Sequence, residues 1–430
     1  MSDLFAARTQ MALSLGFHIV FAEIGIAMPV LMVLAEWRWR RTGSAVHREL
    51  AHRWAKGTAI LFAVGAVSGT VLSFELGLLW PTFMKFAGPI IGIPFSLEGF
   101  AFFTEAIFLG VYLYGWDRIS ARAHLIAGVI VAISGAASAV FVVMVNAWMN
   151  TPTGVTAANG LVVQVDPIAG MFNPSTVQQA VHMLIAAYAA TGIAVAGIHA
   201  ALLLKRRDSE LHRAALVIAL MIGAPAALLQ PLSGDLSARV VAERQPVKLA
   251  ALEGHFVTET GAALNVGGLP DEEAGVTRYA IKVPHGLSLL AFHDPNAKVV
   301  GLIDYPRDLW PPVLPVHLAF EVMVGLGSAL ALLAAWIALT VVRRRDLAGN
   351  AWLLRALAIA TPFGFIATEA GWTVTEVGRQ PWVVTGLVRT ADAVTPMPGL
   401  VYPMLAFTTL YLFLAVVVVV VMRSLVQETA

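Results

Sequence analysis

Long apolar stretches of this sequence are interrupted by side chains that could bind a metal or carry protons. Ionisable groups inside a bilayer are costly and usually mark functional sites. Six residues have types suited to iron ligation or proton transfer: His18, Glu98, Glu105, His182, Met323 and Glu376. Histidine with methionine holds heme iron for electron transfer, whereas a weaker ligand leaves a coordination position open. The set indicates redox or proton-transfer chemistry within a membrane.

Two of the carboxylates are spaced so that they share one face of a helix. Glu98 and Glu105 are seven residues apart, which is nearly two turns and about 10 Å along the axis. Glu105 is flanked by the apolar runs "FAFFT" and "AIFLG". A pair of carboxylates in such surroundings suits a proton relay.

Considered alone, each residue also has a structural explanation. A lone histidine such as His18 more often hydrogen-bonds a neighbouring helix, and Met323 alone would be interpreted as packing. Glu376 could simply pair with Arg379, three residues later. A functional site is favoured because five residues on five different helices are predicted at one depth, in the outer part of the bilayer. These five are His18, Glu98, His182, Met323 and Glu376.

The composition defines the class of protein. Of 430 residues, 58% are hydrophobic and only 13% are charged, whereas soluble domains carry about 25% charged residues. The mean hydropathy of +0.77 also indicates a polytopic membrane protein. The absence of cysteine excludes disulfides, thiolate-ligated iron–sulfur clusters and covalently attached c-type heme. Any redox metal must therefore be held by other side chains.

The predicted fold class is an all-α polytopic membrane protein with nine transmembrane helices. Each predicted span has the roughly 20 apolar residues that cross a bilayer. The spans are 11–36, 57–80, 90–115, 123–147, 180–204, 213–232, 317–342, 352–376 and 399–422.

Charge distribution predicts how the chain is oriented. Arginine and lysine concentrate in the connections 37–56, 116–123, 205–213 and 343–355, whereas 149–181 contains neither. Because such residues favour the cytoplasmic side, the N-terminus is predicted outside and the C-terminus in the cytoplasm.

One long hydrophilic segment interrupts the membrane spans. The predicted organisation is transmembrane helices 1–6 in residues 1–232, an extracytoplasmic loop in 233–316, and transmembrane helices 7–9 in 317–430. Loops of this length are usually functional or disordered. The segment is predicted to be a folded cap or a substrate-binding loop.

A series of motifs along nearly the whole chain resembles subunit I of the cytochrome bd-type quinol oxidases. Their order, the nine predicted spans and the long loop after the sixth span agree with that family. The motifs are "RTQMALSLGFHIVFA", "FSLEGFAFFTEAIFLGVYLYGWDR", "NAWMNTP", "FNPSTVQQAVHM", "QPVKLAALEGHF", "FEVMVGLG" and "EAGWTVTEVGRQPW".

The resemblance implies three hemes and their ligands. His182 and Met323 match the axial ligands of a low-spin heme b558. His18 and Glu376 match ligands of two high-spin hemes, heme b595 and either heme d or a further heme b. Glu98 matches a carboxylate associated with ligation at the diheme site.

The resemblance also implies roles around these ligands. Glu105, like Glu98, matches a carboxylate associated with proton delivery. Trp372 matches an aromatic residue between hemes, and Arg379 a propionate or structural partner. Lys248 and Glu253 match the quinol-oxidising part of the loop.

For such a subunit the implied reaction is oxidation of quinol at the outer loop and reduction of O₂ to water. Electrons would pass through the low-spin heme to the high-spin diheme site, generating a proton motive force without pumping. The implied location is the bacterial cytoplasmic (inner) membrane, in a heterodimer with subunit II and with room for a small single-helix subunit. Quinol, O₂ and membrane lipid are the implied partners; nucleic acid is not.

The sequence departs from the common family pattern in two places. Glu321 stands where an arginine often precedes the methionine ligand by two residues, and the loop is of the short form. Both departures fit the cyanide-insensitive branch. Loss of a positive charge at Glu321 should alter the potential of the low-spin heme.

Two other classes of function remain open from the residues alone. One is a heme-free proton-coupled transporter that uses the carboxylates as its path. The absence of internal repeats and the matched depth of His182 and Met323 argue against it. The other is a quinol-linked b-type electron-transfer subunit without O₂ chemistry, against which the second ligand group, His18 with Glu376, argues.

Overall fold

The computed structural model describes residues 2–158 and 161–427. Most of them lie in helices. Within the described residues the α-helices are α1 (Asp3–Thr42), α2 (Ala45–Leu79), α3 (Pro81–Tyr114), α4 (Ala121–Asn150), α5 (Pro167–Met171), α6 (Thr176–Lys205), α7 (Glu210–Arg244), α8 (Pro246–Leu252), α9 (Gly286–Phe292), α10 (Val313–Val342), α11 (Ala351–Ala360), α12 (Phe363–Val377), α13 (Thr390–Ala393) and α14 (Val401–Gln427). Two short 3₁₀ helices cover Leu302–Asp304 and Arg307–Leu309.

The strands are short and form antiparallel pairs outside the long helices. In chain order they are β1 (Val155–Ala158), β2 (Leu161–Val165), β3 (Glu259–Thr260), β4 (Leu264–Val266), β5 (Leu269–Asp271), β6 (Val276–Arg278), β7 (Ile281–Val283), β8 (Lys298–Val299), β9 (Trp382–Val384) and β10 (Val388–Arg389). The pairs are β1–β2, β3–β8, β4–β7, β5–β6 and β9–β10. In the β4–β7 pair, Leu264 lies opposite Val283.

Nine helical spans in the described part of the chain are long and apolar enough to cross a membrane, which confirms the predicted fold class. The eighth span consists of α11 and α12, which meet at Thr361 and Pro362. Proline has no amide hydrogen and clashes with the preceding turn, so a break there is expected.

The helices extend beyond the apolar stretches that predicted them. α1 begins at Asp3, where the Ser2 hydroxyl accepts a hydrogen bond from the amide of Phe5 at 3.3 Å. α7 continues to Arg244, so the segment between α7 and α10 comprises residues 245–312. Polar helix ends carry no hydropathy signal, which explains the difference from the predicted loop 233–316.

Eight of the nine membrane spans in the described residues form two groups of four. The first group is α1 to α4, and the second is α6, α7, α10 and the span made of α11 and α12. α1 packs on α2 and α4, and α3 packs on α4 and α2. In the second group, α7 and α12 each pack against both α6 and α10, while α11 packs against α6. Close approach relies on small residues, because a Cβ on Gly192 of α6 would lie 2.5 Å from the Cα of Gly223 in α7.

One end of the bundle, here called the loop face, carries the long segment 245–312 and the connections β1–α5 and β9–α13. Its parts are joined by hydrogen bonds from backbone amides. The Asp3 carboxylate accepts from the amides of Gly399 and Leu400 at 3.0 and 2.8 Å, and the Thr385 amide donates to the carbonyl of Met149 at 3.0 Å. The opposite end, here called the arginine-rich face, carries the short connections 43–44, 115–120, 206–209 and 343–350.

Candidate functional site

His18 of α1 is held against α2 by one serine. Its Nδ1 lies 2.9 Å from the Ser68 hydroxyl oxygen, and that hydroxyl donates its only hydrogen to the carbonyl of Gly65 at 3.0 Å. With the hydroxyl hydrogen placed on the Gly65 carbonyl, the serine oxygen accepts, and the tautomer assigned to His18 carries its hydrogen on Nδ1. This leaves the Nε2 lone pair of His18 available as a ligand.

His182 of α6 is held against α7 in the same way. Its Nδ1 lies 2.9 Å from the Ser233 hydroxyl, which donates to the carbonyl of Gln230 at 2.9 Å. The Gln230 side-chain amide lies 3.1 Å from Nε2 of His182. In both helix groups, therefore, a serine hydroxyl on the neighbouring helix lies 2.9 Å from Nδ1 of the histidine. A hydrogen bond at the second ring nitrogen is typical of metal-bound imidazole.

Met323 lies on α10, which packs against α7 and α12, the same two helices that pack against α6 with His182. A Cβ on Gly371 of α12 would lie 3.0 Å from the Met323 sulfur, so glycine is needed for the thioether to lie there. Trp372, half-buried, follows Gly371 and lies one turn before Glu376 on α12.

Glu376 lies at the end of α12 in a polar network at the loop face. Its carboxylate accepts hydrogen bonds from the Asn146 side-chain amide of α4 and from the Arg379 guanidinium. Asn150, one turn after Asn146, donates to the Asn146 carbonyl and side-chain oxygens at 3.0 Å. Lys248 of α8 donates to the Asn150 side-chain oxygen at 2.7 Å. The structure therefore brings three predicted residues, Glu376, Arg379 and Lys248, into one network.

Arg379 is almost fully enclosed, with a side-chain exposure of 2%. Its Nη2 bonds Glu376, but its buried Nε and Nη1 have no hydrogen-bond partner among residues 2–158 and 161–427. Buried cationic donors without acceptors are costly. A negatively charged group beside Arg379 would satisfy them.

Lys248 is buried at the loop face, with 6% of its surface exposed. Burial lowers the pKa of Lys248 to about 7; the positive charge of Arg379 adds to this effect and the negative charge of Glu376 opposes it. The Lys248 amino group can therefore exchange a proton near neutral pH.

Glu253, five residues after Lys248, lies in a different environment. It is 1% exposed, and its Oε2 has no hydrogen-bond partner. Burial, with a further contribution from the negative charge of Glu321 on α10, raises the pKa of Glu253 to about 8. Glu321, at the position where the family often has arginine, thus disfavours ionisation of Glu253.

Replacing Glu253 by glutamine is expected to remove a decline in thermal stability at alkaline pH. The pKa of Glu253 is about 8 in the folded protein and ordinarily 4.5, so its stabilising effect is complete below pH 4.5 and lost as the pH rises through 8. Tm of the purified protein should fall from about pH 7 to about pH 9 in the wild type but less in Glu253→Gln. Exposed Glu259 provides the control, and equal declines in wild type, Glu253→Gln and Glu259→Gln would contradict the assignment.

The α3 carboxylates form a separate group that faces α4. The Ser138 hydroxyl donates to Glu98 at 3.1 Å. Glu105 is 6% exposed, and a Cβ on Gly135 would lie 3.2 Å from its carboxylate. The two carboxylates share a face of α3, as predicted, and neither belongs to the Glu376 network.

The predicted ligands do not all lie at one depth in the structure. Glu376 is one residue from the end of α12, and Glu369 lies about 10 Å deeper on the same helix. It is Glu369 that packs near His18, since its Oε2 would lie 3.1 Å from a Cβ on Gly16. The prediction placed His18 two turns from a helix end at Met11. α1 begins at Asp3, so His18 lies deeper.

Sequence reasoning missed several polar residues. Asn146 and Asn150 lie within the motif "NAWMNTP", and their spacing of four could have revealed a polar face at the end of α4. Ser68 and Ser233 carried no signal, because serine is common in membrane helices. Buried carboxylates Glu23 and Glu36 were also missed; Glu36 lies 2.9 Å from Nδ1 of His124.

Comparison with known proteins agrees with this architecture. The family model for cytochrome bd terminal oxidase subunit I matches residues 6–430. A putative cytochrome bd menaquinol oxidase subunit I from Bacillus subtilis (strain 168) is 38% identical over 429 residues, covering 98% of this chain and 96% of that protein. A cytochrome bd ubiquinol oxidase subunit 1 from the same organism is 32% identical over 434 residues, covering 97% and 92%. The solved bd oxidase from Geobacillus thermodenitrificans has a TM-score of 0.94 and 39% identity, covering 100% of this chain and 99% of that one.

The membrane-spanning bundle and its half-buried histidine, methionine and carboxylate side chains are those of a membrane oxidoreductase subunit of the electron-transport type. The chain belongs to the cytochrome bd terminal oxidase subunit I family. The predicted family is confirmed, and with it a heme-containing quinol oxidase subunit.

The residues present fit heme groups. Serines at Nδ1 of His18 and His182 leave Nε2 as the ligating nitrogen of each ring. At His182 a heme iron would take the place of the Gln230 amide, which lies 3.1 Å from Nε2. Two buried nitrogens of Arg379 lack acceptors, which suits a propionate. Gly69 leaves space at His18, because a Cβ there would lie 2.9 Å from its Cε1.

Proposed function

We propose that this chain is the quinol-oxidising and O₂-reducing subunit of a terminal respiratory oxidase. The observation that supports this most strongly is the matched serine support of His18 and His182, because a transporter has no need of two imidazoles held as metal ligands. When bound, a low-spin heme b558, a heme b595 and a heme d or further heme b supply electron transfer from quinol to O₂.

The protein holds these groups through residues of both helix groups. His182 and Met323 are the ligands proposed for the low-spin heme. His18 and Glu376 are the proposed ligands for the high-spin hemes, with Glu98 at the same diheme site. Arg379 would hold a heme propionate with its two unpartnered nitrogens, while its Nη2 pairs with the Glu376 carboxylate.

Quinol is oxidised at the loop face, where Lys248 and Glu253 act on its oxygens. Glu253 is mostly protonated at neutral pH, since its pKa is raised to about 8 by burial, and so it donates a hydrogen bond from its unpartnered carboxyl. Lys248, with a pKa lowered to about 7 by burial, exchanges a proton at Nζ. The network through Asn150 and Asn146 keeps that nitrogen beside Glu376.

Protons for O₂ reduction reach the site by way of Glu105 and Glu98, the latter hydrogen-bonded by Ser138. With the N-terminus outside and the C-terminus in the cytoplasm, quinol protons leave on the outer side while consumed protons come from the cytoplasm. A proton motive force then develops in the bacterial inner membrane without a pump. Subunit II, in a heterodimer with this chain, supplies part of the proton route, and a small single-helix subunit completes the proposed complex.

Spectroscopy of the purified complex tests the proposal against its two alternatives. We expect a Soret band, a low-spin heme b signal and a high-spin heme that shifts on addition of carbon monoxide. A colourless active preparation would favour the heme-free transporter. Low-spin heme b without a reactive high-spin heme would favour an electron-transfer subunit that does not handle O₂. Mass analysis of the extracted pigments identifies heme d or heme b.

A further inference from the structure

The arginine-rich face contains two adjacent cavities between α7, α10 and the start of α11. The first, about 300 Å³, is lined by Arg343 and Arg345 together with Trp336 and Leu339 of α10. The second, about 360 Å³, is lined by Arg213, Arg344 and Arg345 together with Leu216 and Val217 of α7. Arg345 and Asp346 border both cavities.

The charge of these cavities is strongly positive. Four arginines and one aspartate line them. The carboxylate of Asp346 is already engaged, since it accepts from Arg213 at 3.0 Å and from the amide of Ala348 at 2.9 Å. Within the described residues, Arg343, Arg344 and Arg345 form no salt bridge. Positive charge at this site is therefore available for an anion.

Arginines at a membrane face are expected for topology alone, but others on this face interact with neighbouring side chains. Arg40 pairs with Glu36, Arg53 pairs with Glu49, and Arg41 stacks over Trp37. The tract 343–345 differs because its side chains line hollow space.

The backbone at Arg344 supports a role for its side chain. Arg344 has φ 52°, in the left-handed region, where a helix end ordinarily uses glycine. The turn is closed by the amides of Arg344 and Arg345, which donate to the carbonyls of Val341 and Thr340 at 2.9 and 3.0 Å. Arginine thus stands at a position where glycine would fit with less strain.

The apolar walls of the cavities lie on the membrane side of the arginines. Trp336, Leu339 and Val341 of α10 are 38%, 46% and 55% exposed. They precede Arg343 within about two helical turns. A ligand with a phosphate beside arginine and chains along α10 matches this order. Tryptophan at the headgroup level is typical of membrane interfaces.

We infer that these cavities bind the phosphodiester headgroup of an anionic phospholipid, with its acyl chains along α10 and α7. Arginine recognises phosphate through paired N–H donors. Basic pockets between transmembrane helices are suited to such headgroups. The site is independent of the heme and quinol residues, which lie towards the loop face.

The test is binding of cardiolipin and phosphatidylglycerol to the delipidated whole oxidase, measured by native mass spectrometry. The double variant Arg344→Gly/Arg345→Gln removes two charges while glycine accepts the φ of position 344. We expect it to bind anionic lipid about twentyfold more weakly than the wild type. The matched control Arg118→Gln/Arg122→Gln removes two exposed arginines from the same face, away from the cavities, and should stay within about twofold.

A third variant tests the sign of the effect. Asp346→Asn removes the one negative charge lining both cavities and should strengthen binding of anionic lipid. Equal weakening in both double variants, or equal binding of phosphatidylcholine to the wild type, would overturn the inference. Displacement of the lipid by inorganic phosphate at comparable concentration would also overturn it, since the site would then serve soluble anions.

Discussion

Replacing His182 by alanine is expected to abolish the low-spin heme signal and to lower quinol-dependent O₂ uptake by about 100-fold or more. Loss of only an outer-shell partner of a metal-bound imidazole costs about 10- to 100-fold, so loss of the ligand must cost at least as much. Reduced-minus-oxidised spectra of the purified oxidase measure the heme directly. Oxygen consumption with a soluble quinol measures turnover.

Two further variants make this prediction specific. Met323→Leu removes the sulfur ligand but keeps an apolar side chain of similar volume, so we expect the same loss of the low-spin signal with the fold intact. Ser233→Ala leaves His182 in place but removes the hydroxyl 2.9 Å from its Nδ1, and a milder loss of about tenfold is expected. Wild-type turnover in either His182→Ala or Met323→Leu would refute the ligand assignment.

The fold was predictable from the sequence because membrane spans are encoded by length and hydropathy. The nine predicted spans are confirmed within the described residues. The ends of the helices were not predictable in the same way. α7 continues twelve residues beyond its predicted end at 232 and reaches Arg244. It carries polar and charged groups such as Asp235 and Arg239, so hydropathy cannot reveal this part of the helix.

The candidate ligands were predictable by residue type, but their support was not. Histidine, methionine and glutamate in apolar helices stand out because their burial is costly. Ser68 and Ser233 set the tautomers of His18 and His182 by contacts across 50 and 51 residues of sequence. Such pairings depend on how helices pack, and no local pattern contains them. The roles of the ligands themselves stay predictions.

Lys248 illustrates a second limit of sequence reasoning. Because Lys248 and Glu253 share the motif "KLAALEG", both were predicted in the same part of the loop. In the structure α8 directs the two side chains to different partners, Lys248 to Asn150 and Thr375 and Glu253 towards Glu321. Lys248 and Glu253 are only five positions apart in the sequence, yet the docking of α8 decides what each one contacts.

Replacing Glu376 by glutamine is expected to abolish O₂ reduction while the low-spin heme remains reducible. Glutamine keeps the size of the side chain but removes the anionic oxygen that a weakly held iron needs. It also leaves the Arg379 guanidinium, 2% exposed, without its carboxylate partner. Breaking a buried pair in this way costs about 3–5 kcal/mol, so the high-spin site should lose both its ligand and the order of its network.

The measurement separates this effect from general unfolding. In Glu376→Gln, quinol should still reduce the low-spin heme, whereas carbon monoxide binding to a high-spin heme and O₂ uptake should fall by about 100-fold. Glu259→Gln is the control, because it makes the same carboxylate-to-amide change at an exposed position of β3, outside the Asn146–Arg379 network. Asn146→Ala removes one hydrogen bond to Glu376 and should give an intermediate loss. An unchanged high-spin spectrum and activity in Glu376→Gln would exclude Glu376 as a ligand and leave it as the structural partner of Arg379.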